Sequence, residues 1–489
     1  MWRIRIAEDY WLLVVFDWKT SKGMLFWPTP MFARTVQLSF LLLLTLPLTV
    51  NAAKLPKSFN GFVTEVSSGQ FYIGSREVNW SSHATRIYQV VQGAEMDASS
   101  TAAIRVGAYL HLEGKSDKKS GKFVASSIGL LQPELKEIKV QAAGLIEEEP
   151  KLVSSGSGVT GVIWADGYPL RVTGSTKLLS ADGKPFPARQ IQPNVWATFD
   201  AIRKPDGTVE ALSIAFEPNT VTANEVKFRD KSEPKITLPD YAKGIPGEIK
   251  FKGSWALKIL PNKSVQNYVA TVGEKLIPEY QKNLPDGDLG AIKFRFYVVG
   301  HHTRWKESLH DAVAMPGGSI IIPDNVLATL NNEAQLAALL SNCIAVTLEK
   351  QLYAHRTQSE VKKYAGTAAD MAVLGVPAGI ALSIWSGKAL EPDRNKQTVR
   401  IGMRYMLHAG YDIREAPFAW DAAANHDAQN PRSGDYILSS FEQSVLGDLY
   451  FYYTSIDYSR LKANRSAYRQ MLATLQKDDP KLPKAKNHD

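Results

Sequence analysis

Residues 54–216 repeat themselves, and the repeat is one of alternating strands. A first copy opens with Gly61-Phe62-Val63-Thr64, continues through Val106-Gly107-Ala108-Tyr109-Leu110-His111-Leu112-Glu113-Gly114 and closes with Gly121-Lys122-Phe123-Val124-Ala125-Ser126-Ser127-Ile128. A second opens with Gly161-Val162-Ile163-Trp164, continues through Asn194-Val195-Trp196-Ala197-Thr198-Phe199 and closes with Asp206-Gly207-Thr208-Val209-Glu210-Ala211-Leu212-Ser213-Ile214. Alternation of apolar and polar residues on both sides of a glycine-containing turn predicts hairpins. Short strands in units of about 75–85 residues predict two small closed barrels, at 54–133 and 143–216. The pattern is similar to the OB-like barrel modules of bacterial exported proteins.

Such a barrel raises the question of nucleic acid, which needs aromatic platforms along a basic groove. Tyr72, Tyr109, Trp164, Tyr168 and Trp196 are present, but at alternating strand positions that suit a core equally well. The formal charge is +8, and removing residues 1–53, with five basic and three acidic side chains, leaves +6. These charges are scattered without a long basic run, so a nucleic-acid partner is not expected.

The N-terminus reads as an address. From Met31 a short positive stretch precedes an apolar run, Val36 to Leu48, and then Val50-Asn51-Ala52-Ala53. These are the three parts of a secretory signal, with cleavage expected near Ala52. The run is shorter than the roughly 20 residues of a spanning helix. Residues 31–53 are therefore expected to be a signal peptide, and residues 1–30 a mis-assigned extension upstream of it. The one cysteine, Cys343, permits no intramolecular disulfide; a chain of this size can bury cores large enough to need none.

Beyond the barrels, residues 217–245 carry Pro218, Pro234 and Pro239 among polar residues and read as a linker ahead of Pro246. From 246 to 475 the periodicity changes. Helical spacing is predicted over Ser264 to Tyr280, Asn325 to Leu352 and Gln397 to Ala409, and a strand over Lys293 to Val299. Without a βαβ rhythm this half is α+β, and the chain is multidomain, ending in a polar tail at 476–489. A second apolar run, Met371 to Trp385, is interrupted by Gly375, Pro377 and Gly379. It favours a buried or peripheral apolar element, with a re-entrant membrane segment as the minority reading.

Between 311 and 412 the residues become specific. Asp311-Ala312-Val313-Ala314-Met315-Pro316-Gly317-Gly318-Ser319-Ile320-Ile321-Ile322 resembles the N-A-F-A-x-P-G-G-x-I-x-V segment of the HtpX/CAAX-protease zinc metallopeptidases. Leu330-Asn331-Asn332-Glu333-Ala334-Gln335-Leu336-Ala337-Ala338-Leu339-Leu340 is similar to that family's L-x-N-E-x-E-L-A-A-V-L, and Gly402 to Asp412 to its G-x-x-Y-M-x-x-A-G-Y-D. The resemblance covers roughly 250–470 and implies a zincin-type domain.

In that family two histidines four apart on a helix bind zinc, a glutamate between them is the general base, and a carboxylate from a second helix completes the site. Here Asn342 and Val346 stand for the histidines, Cys343 for the base, Asn395 for the third ligand and Val399 for a supporting aspartate. The resemblance thus implies a metallopeptidase fold without its metal, and no cofactor is expected. His301, His302, His310, His355 and His408 do not rebuild the H-x-x-x-H spacing. Cys343 sits among Leu336, Leu339, Leu340 and Val346, company that raises a thiol's pKa and suits a core filler better than a nucleophile.

The family's P-G-G strand also implies a peptide groove at Pro316, Gly317, Gly318, Ser319, Ile320 and Ile321, where an edge strand could pair with an extended peptide. The expectation is an exported pseudopeptidase that binds a peptide or protein partner in the cell envelope. The competing readings are an active zinc endopeptidase with a rearranged site and an envelope scaffold working through its barrels.

Overall fold

The computed structural model describes residues 57–482 except 64, 68, 74–75, 82, 92–93, 98–103, 105–107, 118–121, 132–136, 157, 205, 252–255, 301–311, 355–391, 418 and 420–455, together with residues 2–5 and 11–14. The expected signal peptide, the run Met371 to Trp385 and His301, His302, His310 and His355 lie outside the described residues. Two compact units are present, Met1–Lys54 and Leu55–Asp489. The first contains an antiparallel pair, β1 (Trp2–Arg5) and β2 (Trp11–Val14), in register from Trp2 opposite Val14 to Arg5 opposite Trp11.

The second unit begins with two β sheets of the same topology. Strands β3 (Ser58–Phe62), β4 (Glu65–Ser67), β5 (Gln70–Ile73), β6 (Arg76–Asn79), β7 (Arg86–Val91), β8 (Ala94–Asp97), β9 (Tyr109–Ser116) and β10 (Phe123–Leu131) run in the order β3-β9-β10-β6-β5-β4, with β7 also on β10 and β8 on β7. Strands β11 (Ile138–Leu145), β12 (Lys151–Ser155), β13 (Gly158–Ala165), β14 (Tyr168–Val172), β15 (Lys177–Ser180), β16 (Val195–Arg203) and β17 (Val209–Pro218) run β11-β16-β17-β14-β13-β12, with β15 on β17. In both, the last strand pairs antiparallel with its predecessor and parallel with the third hairpin strand.

The correspondence reaches single residues. The final hairpins each carry one irregularity, where Ser126 and Leu212 are skipped between Ala125 and Ser127 and between Ala211 and Ser213. An extra residue there bends and twists the strand, and both sequences continue with Ser and Ile. In the second copy an antiparallel bridge between Ile146 and Ala165 joins the first strand to β13, which closes the sheet on itself. Phe71, Leu110, Leu112, Phe123 and Ile128 fill the first interior, and Ile163, Leu170, Ile214 and Phe216 the second. Burying each such side chain contributes roughly 1.5–3 kcal/mol.

Residues 217–245, expected as a linker, instead hold a helix and a strand. Helix α1 (Ala223–Ser232) starts at Thr222, whose side chain accepts from the Glu225 N–H, and β18 (Lys235–Thr237) pairs antiparallel with residues 248–250. The prolines mark the ends of these elements: Pro218 closes β17, while Pro234 and Pro239 bracket β18. A six-stranded sheet follows, β18, β19 (Gly247–Lys250), β20 (Ala256–Ile259), β21 (Arg295–Val299), β23 (Ser319–Pro323) and β22 (Val313–Ala314) in that order. Its two faces use the period of 2: Val298, Ile320 and Ile322 join the main core, while Ile249, Leu257, Val299 and Ile321 form a second, smaller one.

Helices cover the main-core face. They are α2 (Lys263–Leu276), α3 (Glu279–Lys282), α4 (Asp324–Thr329), α5 (Glu333–Leu348), α6 (Pro392–His408) and α7 (Arg465–Asp478). Asn262 and Asn332 cap α2 and α5, accepting at 3.0 Å from the Val265 and Gln335 N–H groups; such caps contribute about 1 kcal/mol each. Pro278 splits the predicted helix 264–280 into α2 and α3, because proline has no N–H to continue it. The main core is continuous from the first barrel through the second to these helices.

Candidate functional site

Helix α5 carries the degenerate motif. It is buried nearly all round: Leu336, Ala337, Leu340, Ile344 and Ala345 are fully enclosed, and Cys343 and Val346 are 4% and 2% exposed. Helix α6 lies against it, and Gly402 makes the close approach; a Cβ there would fall 2.9 Å from Ser341 Oγ and 3.2 Å from the Asn342 nitrogen. Val399, also 2% exposed, is on this helix one turn earlier. The structure thus brings the helices bearing 342–346 and 395–399 side by side, although the Asn395 side chain lies outside the described residues.

The groups at this crossing do not fit zinc. Val346 and Val399 have no donor atom. Cys343 is buried and forms no disulfide, and one thiol without further ligands beside it does not make the four-ligand set zinc requires. Asn342 is half-buried, and its Oδ1 has no hydrogen-bond partner among the described residues. No group of three or more metal-binding side chains occurs among the described residues.

The expected peptide groove needs correction. β23 is not at a sheet edge: β21 pairs parallel with it on one side, Arg295 opposite Ser319 through Val299 opposite Pro323, and β22 pairs antiparallel on the other. Pro316, Gly318, Ser319, Ile320 and Ile321 are buried and Gly317 is half-buried. Glu233 accepts from the Ser319 hydroxyl, and a Cβ on Gly317 would meet the Glu233 carboxylate at 2.9 Å. The turn before β23 is therefore packed, and β23 is flanked by strands on both sides rather than being the open edge strand expected.

A charge-rich region lies elsewhere, between the second barrel and α6. Arg400, Arg404 and His408 are four apart and share one helix face. Arg400 Nη2 donates to Asp166 Oδ2 at 2.9 Å and its Nε to the Asp166 carbonyl at 3.1 Å, while its guanidinium lies 4.3 Å from the Tyr168 ring centre. Arg404 lies 3.5 Å over the Trp164 ring and donates to Glu148 at 2.9 Å, and His408 Nε2 is 2.7 Å from the same carboxylate. Two of the aromatic side chains weighed as nucleic-acid platforms are thus platforms for arginines of the same chain.

Local sequence explains the fit. Asp166-Gly167 forms the two-residue turn between β13 and β14, both with positive φ, 56° and 71°, as such a hairpin requires. A Cβ on Gly167 would lie 2.4 Å from Arg400 Cβ, so glycine lets the turn touch the helix. Behind it, Glu147 accepts from the Gly167 N–H, and Glu349, just past α5, accepts from the Leu145 N–H at 3.3 Å. Burial pushes Glu147 up to about 8, against the pull of the Gly167 bond and the Arg404 charge. Burial, with the charges of Asp166 and Glu147, also holds Glu349 well above its usual range. Burial raises Glu148 too, but the His408 bond and Arg404 outweigh it and leave its carboxyl below the ordinary value.

Beside this cluster is a cavity of ≈ 550 Å³. Glu147, Glu148, Ile277, Tyr280, Arg404 and His408 are among its walls, so it borders the second barrel, the α2–α3 connection and α6. The sequence signal for this region, a basic residue at every fourth position from 400 to 408, is not part of the peptidase motif.

No family model matches the chain, and no curated protein matches it. Among solved structures, drosophila Unr CSD456 aligns with 35% of this chain and 66% of its own length, at 15% identity and a TM-score of 0.14. A likeness that loose carries no argument about fold or function.

Proposed function

We propose that this chain is an exported, catalytically silent relative of the HtpX/CAAX-protease zinc metallopeptidases, acting by binding a peptide or protein partner in the cell envelope. The observation that carries the reading is the chemistry at the α5–α6 crossing. Where that family needs two imidazoles, a general base, a third ligand and a supporting aspartate, this chain has Asn342, Val346, Cys343, Asn395 and Val399, and Cys343, Val346 and Val399 are sealed in the core. A single exchange could be a re-tuned ligand, whereas loss of both the ligands and the base leaves nothing to hold or activate a water. The binding half of the proposal is supported by the cavity beside α6, whose ≈ 550 Å³ lies in the size range of ligand sites. The two barrels, read as OB-like modules, belong to the same proposal, because the second supplies walls of that cavity.

The deciding measurement is metal content with thermal stability. Protein purified without residues 1–53 is expected to contain no stoichiometric zinc, to keep its melting temperature in EDTA and to leave casein uncut. A tightly held ion stabilises the native state by mass action, so one zinc per chain with a lower melting temperature in EDTA refutes the proposal.

A further inference from the structure

The contact between the second barrel and the helices holds more acid than base. Four carboxyls converge there: Glu147 and Glu148 from the β11–β12 connection, Asp166 from the β13–β14 turn and Glu349 from the end of α5. Two arginines meet them, and both are committed, Arg400 to Asp166 and Arg404 to Glu148, with His408 also on Glu148. Lys350, the nearest chain neighbour of Glu349, is turned to Glu225 at 3.0 Å and to the Thr220 carbonyl at 2.9 Å. Glu147 and Glu349 are left without a cation of their own among the described residues, and one oxygen of each, Oε2, is buried with no hydrogen-bond partner. A carboxylate in that position is costly, whereas a neutral carboxyl is tolerated.

We propose that this contact is a pH-operated latch, closed while Glu147 holds its proton and loosened when Glu147 ionises. The other groups around Glu147 set the direction. Glu148 and Glu149 flank it in sequence, Asp166 faces it from the turn and Glu349 from α5, and ionisation adds a negative charge to all of these. Arg400, Arg404 and His408 face it from α6, with Arg400 paired to Asp166 and Arg404 and His408 to Glu148, although Arg404 Nε is buried without a hydrogen-bond partner among the described residues and its charge pulls on Glu147. Lys275, Glu279, Tyr280 and Lys282 lie across the cavity on α2 and α3, with Lys282 3.3 Å from Glu279, and Tyr405 completes the apolar side. The cavity reaches Glu147, so water has a route to hydrate the charge once the contact parts.

The sign follows from the two protonation equilibria. Released into water, Glu147 titrates near its ordinary 4.5; in the closed contact it titrates near 8. Below the lower value both states hold the proton and the closed state is fully stabilised. Between the two values only the open state gives it up, so opening grows about tenfold per pH unit. Above the upper value both states are ionised and the increase stops.

Hydrogen exchange of the full chain, followed from pH 5.5 to 9.5 and corrected for intrinsic rates, tests this. Segments 143–149 and 164–170 are the reporters, because Leu145 and Gly167 donate their N–H groups to Glu349 and Glu147. Segment 123–131 of the first barrel is the control. Protection of the reporters is expected to fall by at least about tenfold per pH unit up to about pH 8, while the control stays constant. Glu147→Gln keeps the acceptor for Gly167 and is expected to reduce the slope by about tenfold per pH unit, whereas Glu349→Gln is expected to leave the share that belongs to Glu147. A flat wild-type profile overturns the proposal, as does a slope as steep in Glu147→Gln as in the wild type. If Glu147→Gln fails to fold, Glu349→Gln decides in its place: a slope of about tenfold per pH unit is expected there, and a flat profile overturns the proposal.

Discussion

Arg400→Met removes the cation from the contact between barrel and helix and leaves Asp166 behind. The two side chains are 9% and 4% exposed, so the remaining carboxylate stays in a nearly dry site. Breaking a buried pair from one side costs about 3–5 kcal/mol. Loss of the guanidinium over the Tyr168 ring adds on the order of 1 kcal/mol, partly offset because the methionine thioether still packs against the ring. Asp166→Asn, made alone, strands the arginine instead and is expected to cost a similar amount. The two together remove both charges, so their combined cost should be roughly 3 kcal/mol smaller than the sum of the single costs. Urea unfolding followed by tryptophan fluorescence measures all four proteins, and Trp164 beneath Arg404 places an emitter in the contact. If the single costs add within about 0.5 kcal/mol, the ion pair is not what couples barrel to helix, and the account of this contact fails.

Cys343→Ser is expected to cost on the order of 1 kcal/mol for a hydroxyl in a buried apolar site and to leave partner binding unchanged; loss of binding with intact folding would point to a thiol mechanism. Gly402→Val forces a side chain into the α5 backbone and should lower stability by about 1–3 kcal/mol, whereas an unchanged unfolding midpoint would show that the helices do not approach as described. The fourfold replacement Asn342→His, Cys343→Glu, Val346→His and Asn395→Glu is expected to gain a zinc-dependent rise in melting temperature but little proteolysis, because Val399 cannot orient a ligand as a carboxylate does. No response to zinc would show that 342–346 and 395 are not the positions the resemblance assigns.

The duplicated all-β half is legible in the sequence because strand alternation survives in it, whereas the residue skipped in each final hairpin leaves no signal in that pattern. The helices of the second half are legible for a similar reason, since apolar spacing and Asn caps act locally. What escapes sequence reading is which neighbours an element acquires. Ser319-Ile320-Ile321-Ile322 looks like an edge strand by analogy, yet Val313 and Ala314 fold back on it, and a two-residue partner leaves almost no pattern. The segment 217–245 looks like a linker because its prolines are conspicuous, although they mark the ends of elements rather than their absence. Trp164 and Tyr168 have the spacing of core strand residues, and only the basic stripe on α6, far away in the chain, reveals what covers them.

The outer strand β18 bears on the life of the chain before it folds. It has three residues, is bracketed by Pro234 and Pro239, and exposes Lys235 beside Lys250, its cross-strand neighbour. Proline cannot donate to an incoming strand, and two lysines side by side repel the like face of another copy. The opposite end of the sheet is closed by β22, whose two residues are buried. Neither margin gives a second molecule a long, unguarded template, so crowded folding intermediates of this chain should be hindered from joining sheet to sheet into fibres.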